Sequence, residues 1–411
     1  MKPTLFNCFK FAILLYILTF SCQVYAQTIS SVRFIGLSRT KYSYLRDHIV
    51  KSKAGDPIDT IQIKKDVQEI YNLRHFSSVQ YKLITLDSNS SELYFILIET
   101  FSVFPVLDMG LTKDFFKIQA GFVDFNTFGR SGNSNLYVRR LGRMTYIYSG
   151  DYPFVLGGKN GLAADINKIG TYEPVYYNNN KNEYSYDVYT FLLMHRYDIN
   201  VHSFTKFGMG YQYETFRPHS YVSLPSEYPF KAHADRLLLR ANYRYTFINL
   251  DRINQKGVYI DLSYNEIRSN ARNNNLFGDS KKLLADIRYY FNVHKQTNLA
   301  VRLRAGIGKS ALFDQFVLDD NVNMRGIGFK RIRRDYEFVI NLESRQIIYE
   351  HRLGILQAAF FNDFSPGYNF IGAGLRAYLE PIHGVVIRCD YGVNSSNLKQ
   401  GGVVAGIHQY F

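Results

Sequence analysis

Arginine is the residue type whose placement in this sequence carries the most chemistry. Arg236, Arg240 and Arg244 recur at every fourth position of one segment, and Arg302 and Arg304 stand two apart in another. Arg376 and Arg388 follow in two more segments. Each falls on the polar side of a stretch that alternates polar and apolar residues, so the guanidiniums share one face of extended strands. Charge of one sign on a confined wall focuses potential, which would suit the passage of anions. Nothing comparable is arranged for catalysis. The ten histidines are scattered, and His195 and His202 read as rim residues seven apart across a turn. Gly278-Asp279-Ser280 has the look of a hydrolase serine, but it lies in an Asn-rich turn with no partnering histidine. There is no Gly-x-x-x-x-Gly-Lys loop and no His-Glu-x-x-His pair. The expectation is a protein that is not an enzyme and needs no metal or cofactor.

The elements that position these arginines are strands of one repeated kind. From Arg236 to Phe247 one face holds Leu237, Leu239, Ala241, Tyr243, Tyr245 and Phe247, and the other holds the arginines with Asn242 and Thr246. The same alternation runs through 283–291, 299–307, 371–379 and 385–393. A soluble sandwich would turn such apolar faces inward and show water a mixture of Ser, Thr, Lys and Glu. Here the apolar faces mix bulky aromatics with aliphatics, and the polar faces favour arginine. Lipid outside and a polar lumen inside fit better. Composition agrees, with 34 Tyr, 32 Phe and no Trp. Mean hydropathy is only −0.20, as expected when only every second residue of a strand meets lipid. The length after Thr100 accommodates about 16 antiparallel strands, an even number as such barrels prefer. The net charge of +14 then belongs to the lumen. A nucleic-acid partner would call for a basic stripe on a soluble module, and none is present.

The first hundred residues read differently. Lys2 and Lys10 flank an apolar run from Phe11 to Phe20, and Val24-Tyr25-Ala26 precedes Gln27, the pattern of a cleaved secretory signal spanning residues 1–26. A competing cut before Cys22 would make a lipoprotein, although the usual Leu is missing from Thr19-Phe20-Ser21. Once the signal is cut at Gln27, Cys389 is the one cysteine left, so no intrachain disulfide is expected. Residues 29–36 suggest a strand, 43–53 and 60–73 two helices, and 79–85 and 93–99 two more strands joined by a turn at Asp87-Ser88-Asn89-Ser90. The order βααββ makes a compact α+β module over residues 27–99.

Several segments together resemble the outer-membrane assembly-factor superfamily, the BamA/TamA-like proteins that carry POTRA domains and a surface-antigen-type barrel. Residues 27–99, with Phe34-Ile35-Gly36-Leu37 and Leu73-Arg74-His75-Phe76-Ser77-Ser78-Val79, resemble one POTRA domain. The run Asn126-Thr127-Phe128-Gly129-Arg130-Ser131-Gly132 resembles the family's second barrel hairpin, and Asp151-Tyr152-Pro153-Phe154 the end of its fourth strand. Met324-Arg325-Gly326 resembles the Val-Arg-Gly signature of the long loop that folds back into the lumen. It departs at Ile327-Gly328-Phe329, where the aromatic comes two residues late. Pro381, Gly384, Asp390-Tyr391-Gly392 and the aromatic Phe411 resemble the end of the barrel. The resemblance implies that Arg325, with Gly326, clamps the loop to Glu343 and Asp363; a guanidinium inside a barrel keeps its charge and needs carboxylates in fork geometry.

The fold expected is therefore an all-β transmembrane barrel of about 16 strands over residues 100–411, with one N-terminal POTRA-like domain in the periplasm. The resemblance implies insertion or translocation of client proteins at the outer membrane. Partners would be outer-membrane lipids, unfolded outer-membrane or exported clients, and accessory lipoproteins, but no nucleic acid. The working edge would be the seam between the first and last strands. There Pro105, next to Val106, lacks an N–H, and Gly401, Gly402 and Gly406, ahead of Phe411, offer no side chain to pack. The loop 309–334, among the longest gaps between strands, should start from the cell surface. The rival expectations are a passive anion-favouring pore, a structural barrel without client activity, and a secretion channel dedicated to one partner.

Overall fold

The computed structural model describes residues 27–73, 75–111, 116–177, 180–220, 232–251, 253–271, 278–320, 322–330, 332–379, 386–407 and 410–411. Residues 1–26, where the signal and Cys22 are expected, and Pro381 and Gly384, lie outside the described residues.

The N-terminal domain packs two helical segments on a three-stranded sheet. Strand β1 (Thr28–Ile35) lies parallel to β3 (Ser90–Glu99), and β2 (Phe76–Thr85) lies antiparallel on its other side. The second helix, Thr60–Asn72, starts at Asp59, whose carboxylate accepts from the amides of Ile61 at 2.8 Å and Gln62 at 3.1 Å. It buries Ile63 and Ile70 against Leu45, Ile49, Phe76, Leu93 and Phe95. The first helical segment is shorter than its periodicity suggests: Tyr42–Tyr44 continues into one wide turn, Leu45–Ile49, and Val50 is already extended. The cause is Asp66, fully buried, which takes the amides of Lys51 at 3.1 Å and Ser52 at 3.0 Å and the Ser52 hydroxyl at 2.6 Å. A buried carboxylate needs such donors, and they are no longer free for a helix.

The rest of the chain is one antiparallel sheet of 16 strands. In chain order these are β4 (Val103–Leu111), β5 (Phe116–Thr127), β6 (Gly132–Leu141), β7 (Arg143–Gly157), β8 (Asn160–Tyr177), β9 (Asn180–Asn200), β10 (Ser203–Ser220) and β11 (Ala232–Asp251). Then come β12 (Asn254–Ser269), β13 (Ser280–His294) and β14 (Thr297–Lys309), followed by a long loop. Inside the loop β15 (Phe316–Leu318) and β16 (Ile332–Arg334) form a small ribbon. The wall resumes with β17 (Tyr336–His351), β18 (Gly354–Ser365), β19 (Tyr368–Leu379), β20 (Val386–Asn394) and β21 (Asn397–Ile407). Apolar residues of the alternating strands, such as Phe191, Phe207, Met209, Leu237 and Leu283, face outward and are exposed. Arg236, Arg302, Arg376 and Arg388 face inward and are buried. No helix among the described residues is long and apolar enough to cross a membrane; strands of about 9–11 residues suffice. Strands β8 to β11 have 18, 21, 18 and 20 residues. Their turns at the N-terminal domain are short, so the surplus projects from the opposite end of the barrel. The long loop also leaves from that opposite end, because strand directions alternate from β4 onward.

Candidate functional site: the lumen loop, its clamp and the seam

Arg325 is fully buried inside the barrel, near the middle of the long loop. Its Nε and Nη2 each donate to Asp363 on β18 at 2.9 Å, and its backbone amide donates to the same carboxylate at 3.0 Å. Nη1 donates to Glu343 on β17 and lies 3.8 Å from Asp390 on β20. The faces of the guanidinium are covered as well as its edges. The Phe361 ring lies 3.6 Å from its carbon and the Tyr410 ring 4.3 Å away. Edge-on carboxylates and face-on rings use the planar cation in both ways open to it.

Gly326 explains why a glycine follows. Its φ is +89°, and a Cβ there would stand 2.5 Å from the Gly392 carbonyl oxygen of β20. Gly392 faces the converse problem, since its own Cβ would meet the Arg325 carbonyl at 2.6 Å. The loop backbone therefore lies directly on the wall. Met324 and Ile327 fill an apolar pocket with Leu318, Val339 and Phe370. Ile327 thus takes the buried place next to the tripeptide, and Phe329 is buried two residues further on.

Arg345 and Asn341, not singled out from the sequence, complete the cluster together with Arg376, which the sequence places on the lumen face. Arg345 donates to Glu343 at 2.7 Å, Arg376 to Asp390 at 2.5 Å, and Asn341 to Asp363 at 2.8 Å. Their signal was present, because all three lie on inward-facing positions of regular strands, but alternation alone names no partner.

A second anchor holds the loop to the opposite wall. Phe313 lies among Phe216, Tyr186 and Tyr184, with ring centroids 4.9, 5.4 and 6.0 Å away. Asp314 accepts from Arg236, which also donates to Glu214 at 2.7 Å, and from the Ser280 hydroxyl at 2.7 Å. Lys330 and Arg333 both reach Glu173, buried on β8. Ser280 is thus a loop contact, with Gly278 accepting from Arg236 at 2.9 Å.

The lumen arginines do not form an unpaired basic wall. Arg240 meets Asp165 at 3.3 Å, Arg244 meets Asp261 at 2.7 Å, and Arg302 meets Asp286 at 2.7 Å. Arg304 meets Glu337 at 2.6 Å, and Arg388 meets Asp390 at 3.0 Å. With Arg236 and Arg376, all seven have a carboxylate partner. A cavity of about 420 Å³ remains beside β6 to β12, lined by Asn135, Asp151, Asp165, Lys206, Arg240 and Arg244 among others. Its charges are mixed, so the potential expected of a one-sign wall is largely neutralised.

At the other end the N-terminal domain is docked on the barrel turns. Phe154 takes φ +59°, uncommon for a bulky residue, and its ring stacks on His48 at 3.9 Å. Asn126 donates to Thr40 at 2.8 Å and to Glu99 at 3.1 Å, and Lys41 donates to the Gly129 carbonyl at 2.9 Å. Burial alone would raise the Glu99 carboxyl, but hydrogen bonds from Ser38, Thr40 and Arg39 outweigh it and hold it below its usual value. His202 lies 3.2 Å from Glu69, and His195 meets Asn160 at 3.1 Å, both on the rim facing the domain.

The seam is where the 16-stranded order ends. Strands β4 and β21 touch, yet no ladder pair joins them among the described residues. Pro105 and Val106 pair inward along the sheet, with Phe122 and Gly121. Gly401 and Gly402 pair with Val393 and Gly392, and Gly406 with Arg388. A Cβ on Gly402 would point at Gly326, 3.9 Å away, and one on Gly406 at the Arg388 guanidinium, 3.4 Å away. These two glycines face the lumen and leave room for the clamp. Phe411 is not part of the seam. It lies in the lumen with Tyr290 and Ala300, its backbone oxygen accepting from Arg345 at 3.1 Å. An aromatic last residue can satisfy burial inside as well as at a lipid face, and here the inward arginines draw it in.

Residues 27–99 match the POTRA family, described as a surface antigen variable number repeat. No curated protein matches the chain. Among solved structures it is similar to CdiB from Escherichia coli, at 12% identity and a TM-score of 0.61, over 93% of this chain and 76% of that one. CdiB from Acinetobacter baumannii is similar at 15% identity and a TM-score of 0.56, over 93% and 74%. BamA from Haemophilus ducreyi lacking POTRA domains 1–3 is similar at 11% identity and a TM-score of 0.54, over 92% and 84%. The chain therefore shares the fold of these structures, a barrel of 16 strands with a POTRA domain docked on its turns.

Proposed function

We propose that this protein inserts or translocates client polypeptides at the bacterial outer membrane, with the POTRA domain in the periplasm and the β4–β21 seam as the working edge. The observation that carries this reading is the seam itself. A closed barrel gains from pairing every edge, and here the two strands that close it share no ladder among the described residues. An unpaired edge can accept a client strand through main-chain hydrogen bonds. Clients would be unfolded outer-membrane or exported proteins, with outer-membrane lipids around the barrel and accessory lipoproteins beside the POTRA domain. The role is non-enzymatic.

The anion-pore alternative loses its physical support, since each of the seven lumen arginines is paired and a loop tied to both walls crosses the channel. A disulfide across the seam tests the proposal, with cysteines at Val106 and at a facing residue near Ala405 in a Cys389→Ser background. The locked barrel should stay folded and lose client assembly or export, with recovery on reduction. Full activity in the locked form would overturn it. Depletion in the host then separates the two modes: many outer-membrane proteins are lost for an insertase, one exported partner for a dedicated channel.

A further inference from the structure

Of the groups that close on Arg325, Asp363, Glu343, Asp390 and Phe361 belong to wall strands in regular register. Tyr410 does not. It comes from beyond the end of β21 at Ile407, and it is buried in the lumen. Its ring covers the guanidinium at 4.3 Å, its hydroxyl donates to the Asp320 carbonyl of the same loop at 3.2 Å, and Arg388 approaches its ring at 5.0 Å. The next residue is held in the same way, with the Phe411 ring 5.9 Å from Arg302 and 5.6 Å from Arg345. Tyr290 and Ala300, which pack with both residues, are on β13 and β14. In the order of the sheet these lie on the far side of β17 to β20 from the seam.

Residues 410 and 411 have therefore left the line of β21. They have done so at the POTRA end, where β4 begins and a continuing β21 would run beside Val103–Pro105. The same two residues cannot sit on the lumen arginines, Tyr410 on Arg325 and Phe411 between Arg302 and Arg345, and also extend the last strand along the first. We propose that Tyr410 is a positioning residue that couples the loop clamp to the seam: while its ring covers Arg325 the end of the last strand is held in the lumen, and loosening the loop and re-pairing that end with β4 are one event. The proposal rests on the reading of the seam as the working edge, but it is tested without any client.

Hydrogen exchange on the folded barrel in lipid nanodiscs reads both ends of the coupling, through the amides of residues 319–330 in the loop and of Phe104, Val106 and Leu107 in β4. Tyr410→Leu removes the ring face and the hydroxyl while keeping apolar bulk. It should speed loop exchange about tenfold, the scale of one desolvated cation–π contact with its hydrogen bond. In the same variant β4 exchange should slow several-fold, as the released end pairs with it. Tyr410→Phe keeps the ring and should fall between wild type and Tyr410→Leu at both segments. Faster loop exchange with β4 unchanged or also faster would overturn the coupling, and so would wild-type exchange at both. Either failure leaves the client-handling proposal standing, because that depends on the disulfide lock and not on Tyr410. If Tyr410→Leu does not fold, Tyr410→Phe alone decides: a loop change without an opposite change in β4 sinks the idea.

Discussion

The long loop is tied down twice, the seam-side tie through a loop cation alone and the far tie through a loop anion and two loop cations. On the seam side the loop supplies the cation, Arg325, and the wall supplies Asp363 and Glu343, with no exposed side-chain surface on any of the three. On the far side the loop supplies an anion, Asp314, to Arg236 of the wall, and cations Lys330 and Arg333 to Glu173 of the wall. The far tie is wetter, with Asp314 11% and Lys330 26% exposed. The difference teaches how a single loop can be held firmly at one place and yieldingly at another. Dry charges cannot be separated without leaving one uncompensated, whereas partly wet ones can turn to water. The firm tie is the one next to the seam.

The largest effect should come from breaking the dry tie. Arg325→Ala leaves Asp363 buried without its guanidinium partner, while Glu343 keeps only Arg345 and Arg376, a loss on the order of 3–5 kcal/mol. Loop exchange should accelerate strongly, and function should fall, while the barrel still forms. Arg325→Lys should rescue only part, because an ammonium cannot fork between Asp363 and Glu343. The Arg325/Asp363 double mutant should be clearly milder than the sum of the singles. Additive losses would mean that the two groups do not act as one tie.

A pH scan sets the loop ties against the POTRA domain. His75 is buried beside Phe76 in that domain, and burial pushes its imidazole down to about 4 from 6.5. Between those values the unfolded chain binds a proton that the folded domain refuses. The domain's stability is therefore full above about pH 6.5 and falls as pH drops toward 4, by on the order of 3 kcal/mol. Domain unfolding followed by exchange or proteolysis should show this slope, and His75→Leu should flatten it. The Arg325 tie has no histidine among its described contacts. If its loop amides loosen in step with the POTRA domain over this window, the tie depends on that domain and the two-tie picture is incomplete.

The wetter tie should give less. Asp314→Ala frees the loop from Arg236 but leaves that arginine paired with buried Glu214, so about 1–3 kcal/mol is expected, the scale of hydrogen bonds to charged groups. Exchange should rise at residues 312–316 and stay near wild type at Arg325. Equal loosening at both places would show a single rigid plug in place of two independent ties.

The two ties also differ in how legible they were. Arg325, Glu343 and Asp363 could be named from sequence because a short motif and two strand positions matched a family pattern, and the structure brings the three together. Barrel architecture was legible for a simpler reason: a side-chain period of two, sustained over strand after strand, leaves few other folds. Asp314 and Glu173 gave no such sign. One sits in a turn and the other on an alternating strand, and Glu173 lies 160 residues from Arg333. The paired state of the arginines was hidden likewise. Counting charge finds an excess, but only the folded barrel shows that each of the seven arginines has an inward carboxylate, on its own strand, a neighbour or the loop, or for Arg240 three strands away on β8. The inward turn of Phe411 was not legible, because its apolar ring is compatible with lipid and with a cation-lined lumen.

The smallest predicted effect separates two reasons for a glycine. Gly392 and Gly402 are register partners on β20 and β21, and the loop backbone lies over both. At Gly392 an added Cβ would stand 2.6 Å from the Arg325 carbonyl oxygen, a distance no real pair tolerates, so Gly392→Ala must lift the loop off the wall. At Gly402 the nearest atom is Gly326 Cα at 3.9 Å, an ordinary contact, so Gly402→Ala should leave loop exchange within about twofold of wild type. If clearance were the whole reason for Gly402, its alanine variant would be silent in every assay. If a soft last strand also matters, alanine should stiffen β21 by roughly 0.5–1 kcal/mol and slow client handling with the loop unmoved. Loop loosening in Gly402→Ala comparable to that in Gly392→Ala would refute the packing described, because it would place the loop tip closer to β21 than to β20.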